Sequence, residues 1–209
     1  EAATRNSPAF SRFLSIVGLT HGQQLNYANV ARETHVSAAT VRNYFQILDD
    51  TLRGFTLEPW SRAKKRRLVE TAKFYLFDIG VVNRLNPETS LISEGSDLFR
   101  RAFEQFLLNE VRAFVAYRGR DRSLAFWRTS TGHEVDLVVG DLELALEFNS
   151  AKRIQTTDLH GMRTLLDEHK VGRTIVVSRE TRSRTTEDRI EILPWQRFCK
   201  MLWGGEIIP

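Results

Sequence analysis

The chain has 209 residues, 42% hydrophobic and 27% charged, which suits one or two globular domains with enough apolar chain for a core. Five Pro and 12 Gly are too few for a fibrous or disordered chain, and the one cysteine, Cys199, excludes an internal disulfide framework and a Cys-cluster metal site. The net charge of +4 is unevenly placed: residues 1–80 hold 11 basic and 7 acidic side chains, and residues 81–209 hold 19 of each. No apolar run reaches the roughly 18 residues of a membrane helix. The opening, EAATRNSP, has neither Met nor an apolar signal core, so a piece of a longer, cytoplasmic protein with no membrane partner is expected.

Phe10, Phe13, Leu14 and Val17 recur at helical spacing over residues 8–19. Asn26 is placed to cap a short helix that turns Val30 and Ala31 inward. Thr34, His35 and Val36 then make a turn, and Ser37 caps a second helix with Val41, Tyr44, Phe45 and Leu48 on one face. Two helices so joined form a helix-turn-helix, which needs a small residue where they touch (Ala31) and usually has Gly in the turn, where φ is positive; His35 stands there, a tolerable but weaker choice. The runs GFTLEPW and AKFYLFD read as strands, and five of the six residues 62–67 between them are Lys or Arg. This is the order of a winged helix, assigned here to residues 1–82. Its second helix would offer Ser37, Thr40, Arg42 and Asn43 to a DNA groove, and Lys64, Lys65, Arg66 and Arg67 would contact phosphates. One Arg on that helix gives little base readout, so the expected binding is sequence-independent and salt-sensitive.

Residues 83–96 read as a connector. Leu98, Phe99, Phe103, Phe106, Leu107, Val111 and Phe114 then mark a long amphipathic helix, with Glu104 on its apolar side. Three strand-like runs follow: SLAFWRT, GHEVDLVVG and DLELALEFNSA, the last two joined by a tight turn at Gly140-Asp141. Across such a hairpin Asp136 faces a position between Ala145 and Glu147, so two carboxylates can converge. Paired carboxylates beside a backbone carbonyl can hold Mg²⁺, although exposed strand carboxylates are more often inert. TTDLHGMRTLLDEH then reads as a helix, RTIVVS as a buried strand, RIEILP as a shorter strand and WQRFCKMLW as a last helix. The expectation is an α/β (α+β) domain with a mixed sheet over residues 83–209.

Several of these segments in this order resemble the DUF4143 family: Phe103-Glu104, Phe126-Trp127-Arg128, Gly132-His133-Glu134-Val135-Asp136 and Leu146-Glu147-Phe148. The first half fits as well, through Leu57-Glu58-Pro59-Trp60 and the run Lys73 to Gly80. The resemblance implies the C-terminal region of a prokaryotic AAA-type ATPase, with a winged helix-turn-helix followed by a restriction-endonuclease-like PD-(D/E)XK domain. No GxxxxGK[ST] occurs, so the ATPase domain would lie upstream and this chain would not bind ATP. Carried over by motif, the catalytic set would be Glu104, Asp136, Glu147 and Asn149, with Asp136 and Glu147 as ligands of an implied Mg²⁺. The pattern expects Lys two residues after the second acid. Here that residue is Asn149, which carries no charge to offset a transition state. Lys152, the nearest lysine, would serve only if the chain turned at Ser150-Ala151.

The sequence therefore points to a DNA-associated regulatory module of an ATPase with an eroded nuclease-like site. Its rivals are a working Mg²⁺-dependent endonuclease using Asn149 or Lys152, and a protein-interaction module that touches no nucleic acid.

Overall fold

The computed structural model describes residues 7–61, 72–85, 92–118 and 122–208. They divide into two compact units: residues 7–58 with 72–85, and residues 59–61 with 92–118 and 122–208. Among them lie seven α-helices and eight strands, an α/β architecture.

The first unit opens with α1 (Ser7–Leu19), followed by α2 (Tyr27–Thr34) and α3 (Ala38–Asp50). Asn26 caps α2 by accepting from the Asn29 N–H at 3.0 Å, and Ser37 caps α3 by accepting from the Thr40 N–H at 3.1 Å. Between the helices His35 takes the left-handed conformation, φ 56° and ψ 39°. Its N–H and that of Val36 return to the Arg32 and Ala31 carbonyls, so the last turn of α2 is closed without glycine. The strands β1 (Gly54–Pro59) and β2 (Lys73–Leu76) pair antiparallel, with Gly54 opposite Leu76. Gly54 is required there: a Cβ on it would stand 2.2 Å from the Phe74 ring. The core is aromatic. Phe13 meets Phe45 edge-on at 4.8 Å, and Phe45 meets Phe74 at 4.9 Å.

A further helix, α4 (Ile79–Leu85), buries Val82 in this core and packs on α1. Its last three residues stand where the sequence reading starts a connector. Seven residues carry too little helical signal alone; Asp78 Oδ1, accepting from the Gly80 and Val81 N–H groups, and the burial of Val82 supply the rest.

The second unit carries the long helix α5 (Asp97–Tyr117), capped by Ser96, and a six-stranded mixed sheet in the order β3-β4-β5-β6-β8-β7. Its strands are β3 (Leu124–Arg128), β4 (Glu134–Val139), β5 (Leu144–Asn149), β6 (Thr174–Ser178), β7 (Arg184–Thr185) and β8 (Glu191–Pro194). β3, β4 and β5 form an antiparallel meander, whereas β6 runs parallel to both β5 and β8. A 3-10 turn, Thr156–Leu159, leads into α6 (His160–Glu168), and α7 (Trp195–Trp203) follows β8 directly. α6 covers one core through Met162 and Leu165, against Val138, Ala145 and Val176.

Two local differences from the sequence reading have physical causes. The β4–β5 connection is four residues, Gly140 to Glu143, rather than a two-residue turn. Leu142 adopts φ 62° and is buried, so an apolar anchor takes it out of the strand. β7, absent from the reading, is two exposed residues that owe their extended form to pairing with β8. The hydrophobic C-terminus docks on its own unit, with Ile207 and Ile208 buried beside Val139 and Leu144.

Candidate functional site

The candidate DNA-reading face of the first unit is on α3. Ser37 is exposed, but its hydroxyl is engaged twice, by the Thr40 N–H and by the Thr40 hydroxyl at 2.9 Å. Those two residues therefore build the helix start. Arg42 and Asn43 are exposed, and the Arg42 guanidinium lies 5.0 Å from the Tyr27 ring centre. Gln46, not among the residues expected on this face, is exposed one turn beyond Asn43, and its amide donates to Asp50 at 2.8 Å. Its spacing from Arg42, i to i+4, was the available signal. Lys64, Lys65, Arg66 and Arg67 lie outside the described residues. Because the Ser37 cap is local, Ser37→Ala is expected to cost about 1 kcal/mol of first-unit stability, read as a lowered thermal midpoint.

In the second unit the carboxylate pair comes from neighbouring strands. Leu137 pairs with Leu146, and the next position outward sets Asp136 across from Glu147. The two extra turn residues bring this about, since a two-residue turn would have put Asp136 across from Ala145. Asp136 Oδ2 accepts from the Phe148 N–H at 2.8 Å. Glu147 is half-buried and its Oε2 is fully covered by protein. Glu104, half-buried on α5, does not join them: among the described residues, no three His, Cys, Asp or Glu side chains gather in a group able to hold a metal ion. Asp136 and Glu147 fit an Mg²⁺ that keeps most of its water, since that ion needs only one or two carboxylates beside a phosphate ligand.

The fourth position is committed elsewhere. Asn149 Oδ1 accepts from the Ala151 N–H at 2.9 Å, an Asx turn that ends β5. Lys152 sends its Nζ to Glu94 at 2.9 Å, and Arg179 takes the other oxygen of Glu94 at 2.6 Å. These two cations, through hydrogen bonds and their charge, hold the Glu94 carboxyl below the usual carboxylate range.

Residues 100–198 match the family model described as domain of unknown function DUF4143. This segment is a DUF4143 domain. Glu104, Asp136, Glu147 and Asn149 all lie within it. Residues 1–92 match a different model, domain of unknown function DUF8612, so Leu57 to Trp60 and Lys73 to Gly80, assigned from the sequence to the DUF4143 likeness, fall outside the DUF4143 match. Two curated relatives, uncharacterized proteins of Mycobacterium bovis and Mycobacterium tuberculosis, are each 32% identical over 120 residues. The aligned part is 57% of this chain and 26% of each relative, so the match spans about a quarter of the relatives' length. No solved structure matches the chain.

Two further features of the second unit bear on its chemistry. Its cysteine, Cys199, just past the matched span, is pushed up to about 11 by burial and by the nearby Glu110 charge. A thiol raised in this way stays protonated at neutral pH, which weakens it as a nucleophile. Gly161, in the first turn of α6, sits against the backbone of Glu134 at the start of β4. That contact, invisible in the sequence, sets the strand end that carries Asp136. Among the described residues no helix is long and apolar enough to cross a membrane.

Proposed function

We propose that the chain is a cytoplasmic, DNA-associated regulatory module of an AAA-type ATPase. In this reading the first unit contacts duplex phosphates, and the DUF4143 domain keeps a nuclease-like site without turnover. One observation carries the reading. Asp136 and Glu147 face each other across β4 and β5, while Asn149 is tied to the Ala151 N–H and Lys152 to Glu94.

An Mg²⁺ held by Asp136 and Glu147 would shield a phosphate and lower the pKa of a bound water. The chain's own part would be to supply a cation that orients the attacking water and offsets charge in the transition state. Neither Asn149, uncharged and bound to backbone, nor Lys152, drawn to Glu94, is free for that role in the described arrangement. The carboxylate pair alone favours the second reading, a working Mg²⁺-dependent endonuclease.

For the first unit the support is the order α1-α2-α3-β1-β2, that of a winged helix, with Arg42 and Asn43 exposed on α3 and the basic run 62–67 between the strands. For the ATPase link the support is the DUF4143 match, together with relatives about four times as long as the aligned segment. Titrating a labelled duplex of arbitrary sequence across a salt series tests the DNA part. Binding that weakens steeply with salt and ignores sequence is expected; no binding at low salt would favour the protein-interaction reading instead.

A further inference from the structure

Two cavities of the second unit meet at Arg179 and Gln196 and differ in character. One, of about 530 Å³, is walled by Phe99, Phe103, Phe106 and Trp195. Phe106 is 43% exposed and stands edge-on to Trp195 at 5.8 Å, so the aromatic wall is open to a ligand. The other, of about 740 Å³, is lined by three arginines, Arg179, Arg182 and Arg197, with one carboxylate, Glu180. Both volumes are in the range of small-molecule sites, roughly 300–1,000 Å³. They lie beyond Ser178 and Pro194, the carboxyl ends of the parallel strands β6 and β8, where open α/β sheets present ligand crevices.

The charge of the second cavity is not cancelled from within. Glu180 is already held by Arg184 at 2.9 Å and by the Ile154 N–H at 2.8 Å. Those interactions, the Arg184 hydrogen bond first, keep its carboxyl below the usual range and so ionised. Glu94 is shared between Arg179 and Lys152. Arg197 donates to the Ser183 hydroxyl at 3.1 Å, a neutral partner. Counting Arg184 and Lys152, five cations face two carboxylates. The Arg179 guanidinium also lies 4.9 Å from the Phe99 ring centre, which fixes a cation at the seam between the two halves.

We propose that this double cavity binds a nucleotide, with its base against Phe106 and Trp195 and its phosphate against Arg179, Arg182 and Arg197. A planar ring suits an aromatic wall, and guanidinium forks suit phosphate oxygens, each at its own end of the cleft. The site shares no residue with the α3 face, the basic run or the carboxylate pair. The nucleotide is either free or the phosphorylated end of a single strand.

Calorimetric titration of the whole chain tests this with four probes: adenosine monophosphate, adenosine, inorganic phosphate, and a short 5′-phosphorylated single-stranded oligonucleotide. The monophosphate or the oligonucleotide is expected to bind at least about tenfold more tightly than adenosine or phosphate, because both halves contribute. Binding of the monophosphate marks a free nucleotide as the ligand. Binding of the oligonucleotide without the monophosphate marks a strand end. In either case a variant carrying Arg182→Ala and Arg197→Ala, two exposed residues whose loss leaves the core intact, is expected to lose about tenfold or more. Phe106→Ala should weaken the nucleotide without altering inorganic phosphate. No heat with the monophosphate or the oligonucleotide at millimolar concentration overturns the proposal, and so does binding that the double arginine variant leaves unchanged.

Discussion

Gly161→Ala is expected to destabilise the second unit by about 2–3 kcal/mol, lowering its thermal midpoint by roughly 10 °C. A Cβ at this position would stand 2.0 Å from the Glu134 carbonyl oxygen and 3.1 Å from its carbonyl carbon. Both are backbone atoms of β4, so no side chain can swing aside; α6 or the strand must move. Alanine's better helix propensity returns only about 1 kcal/mol of this. Gly95→Ala is the control. Gly95 has φ 82° but nothing within 4 Å of its would-be Cβ, so only backbone strain of about 1 kcal/mol opposes the change. Equal losses in the two variants would show that close approach at Gly161 is not what positions α6. The consequence reaches the site, because Glu134 lies two residues before Asp136, and a displaced strand end would pull that carboxylate from the Phe148 N–H.

The second large effect concerns the basic run. With Lys64, Lys65, Arg66 and Arg67 all changed to Ala, duplex affinity at low salt is expected to fall at least about tenfold. The slope of log affinity against log salt should shrink by roughly 3–4, about 0.9 for each phosphate that the variant no longer neutralises. Calorimetry or anisotropy over several salt concentrations reads both quantities. An unchanged slope would remove the run from the DNA interface, whatever the affinity did. Arg42→Ala separates the α3 face from the run: it should cost about one unit of slope, with little change in stability, since Arg42 is exposed.

What is legible in the sequence depends on how local the cause is. The caps at Asn26 and Ser37, the positive φ at His35 and the apolar face of α3 are set within a few residues, and the structure has them as read. α5 and the strands of the meander also follow from periodicity. α4 does not, because much of its support is the burial of Val82 against a core made by distant residues. The length of the β4–β5 turn is hidden because Leu142 fits strand alternation as well as it fits an apolar anchor; only the packed structure chooses.

The candidate site divides in the same way. The facing of Asp136 and Glu147 is approachable from hairpin arithmetic, and Asn149 in place of lysine is plain. That Lys152 is occupied is not, since its partner Glu94 lies far away in sequence and is shared with Arg179. The nucleotide cleft is equally hidden. Arg179, Arg182 and Arg197 come from the β6–β7 connection and from α7, and nothing in their spacing marks them as neighbours.

The proposed function couples DNA association to a lack of turnover at the Asp136–Glu147 pair. Incubation of the whole chain with supercoiled plasmid, in Mg²⁺ and separately in Mn²⁺, tests it most directly, with retardation and strand breakage read from the same samples. The expected result is plasmid that is retarded by the protein yet remains supercoiled after the protein is removed. Metal-dependent nicking that disappears in Asp136→Ala would contradict it and establish a working nuclease.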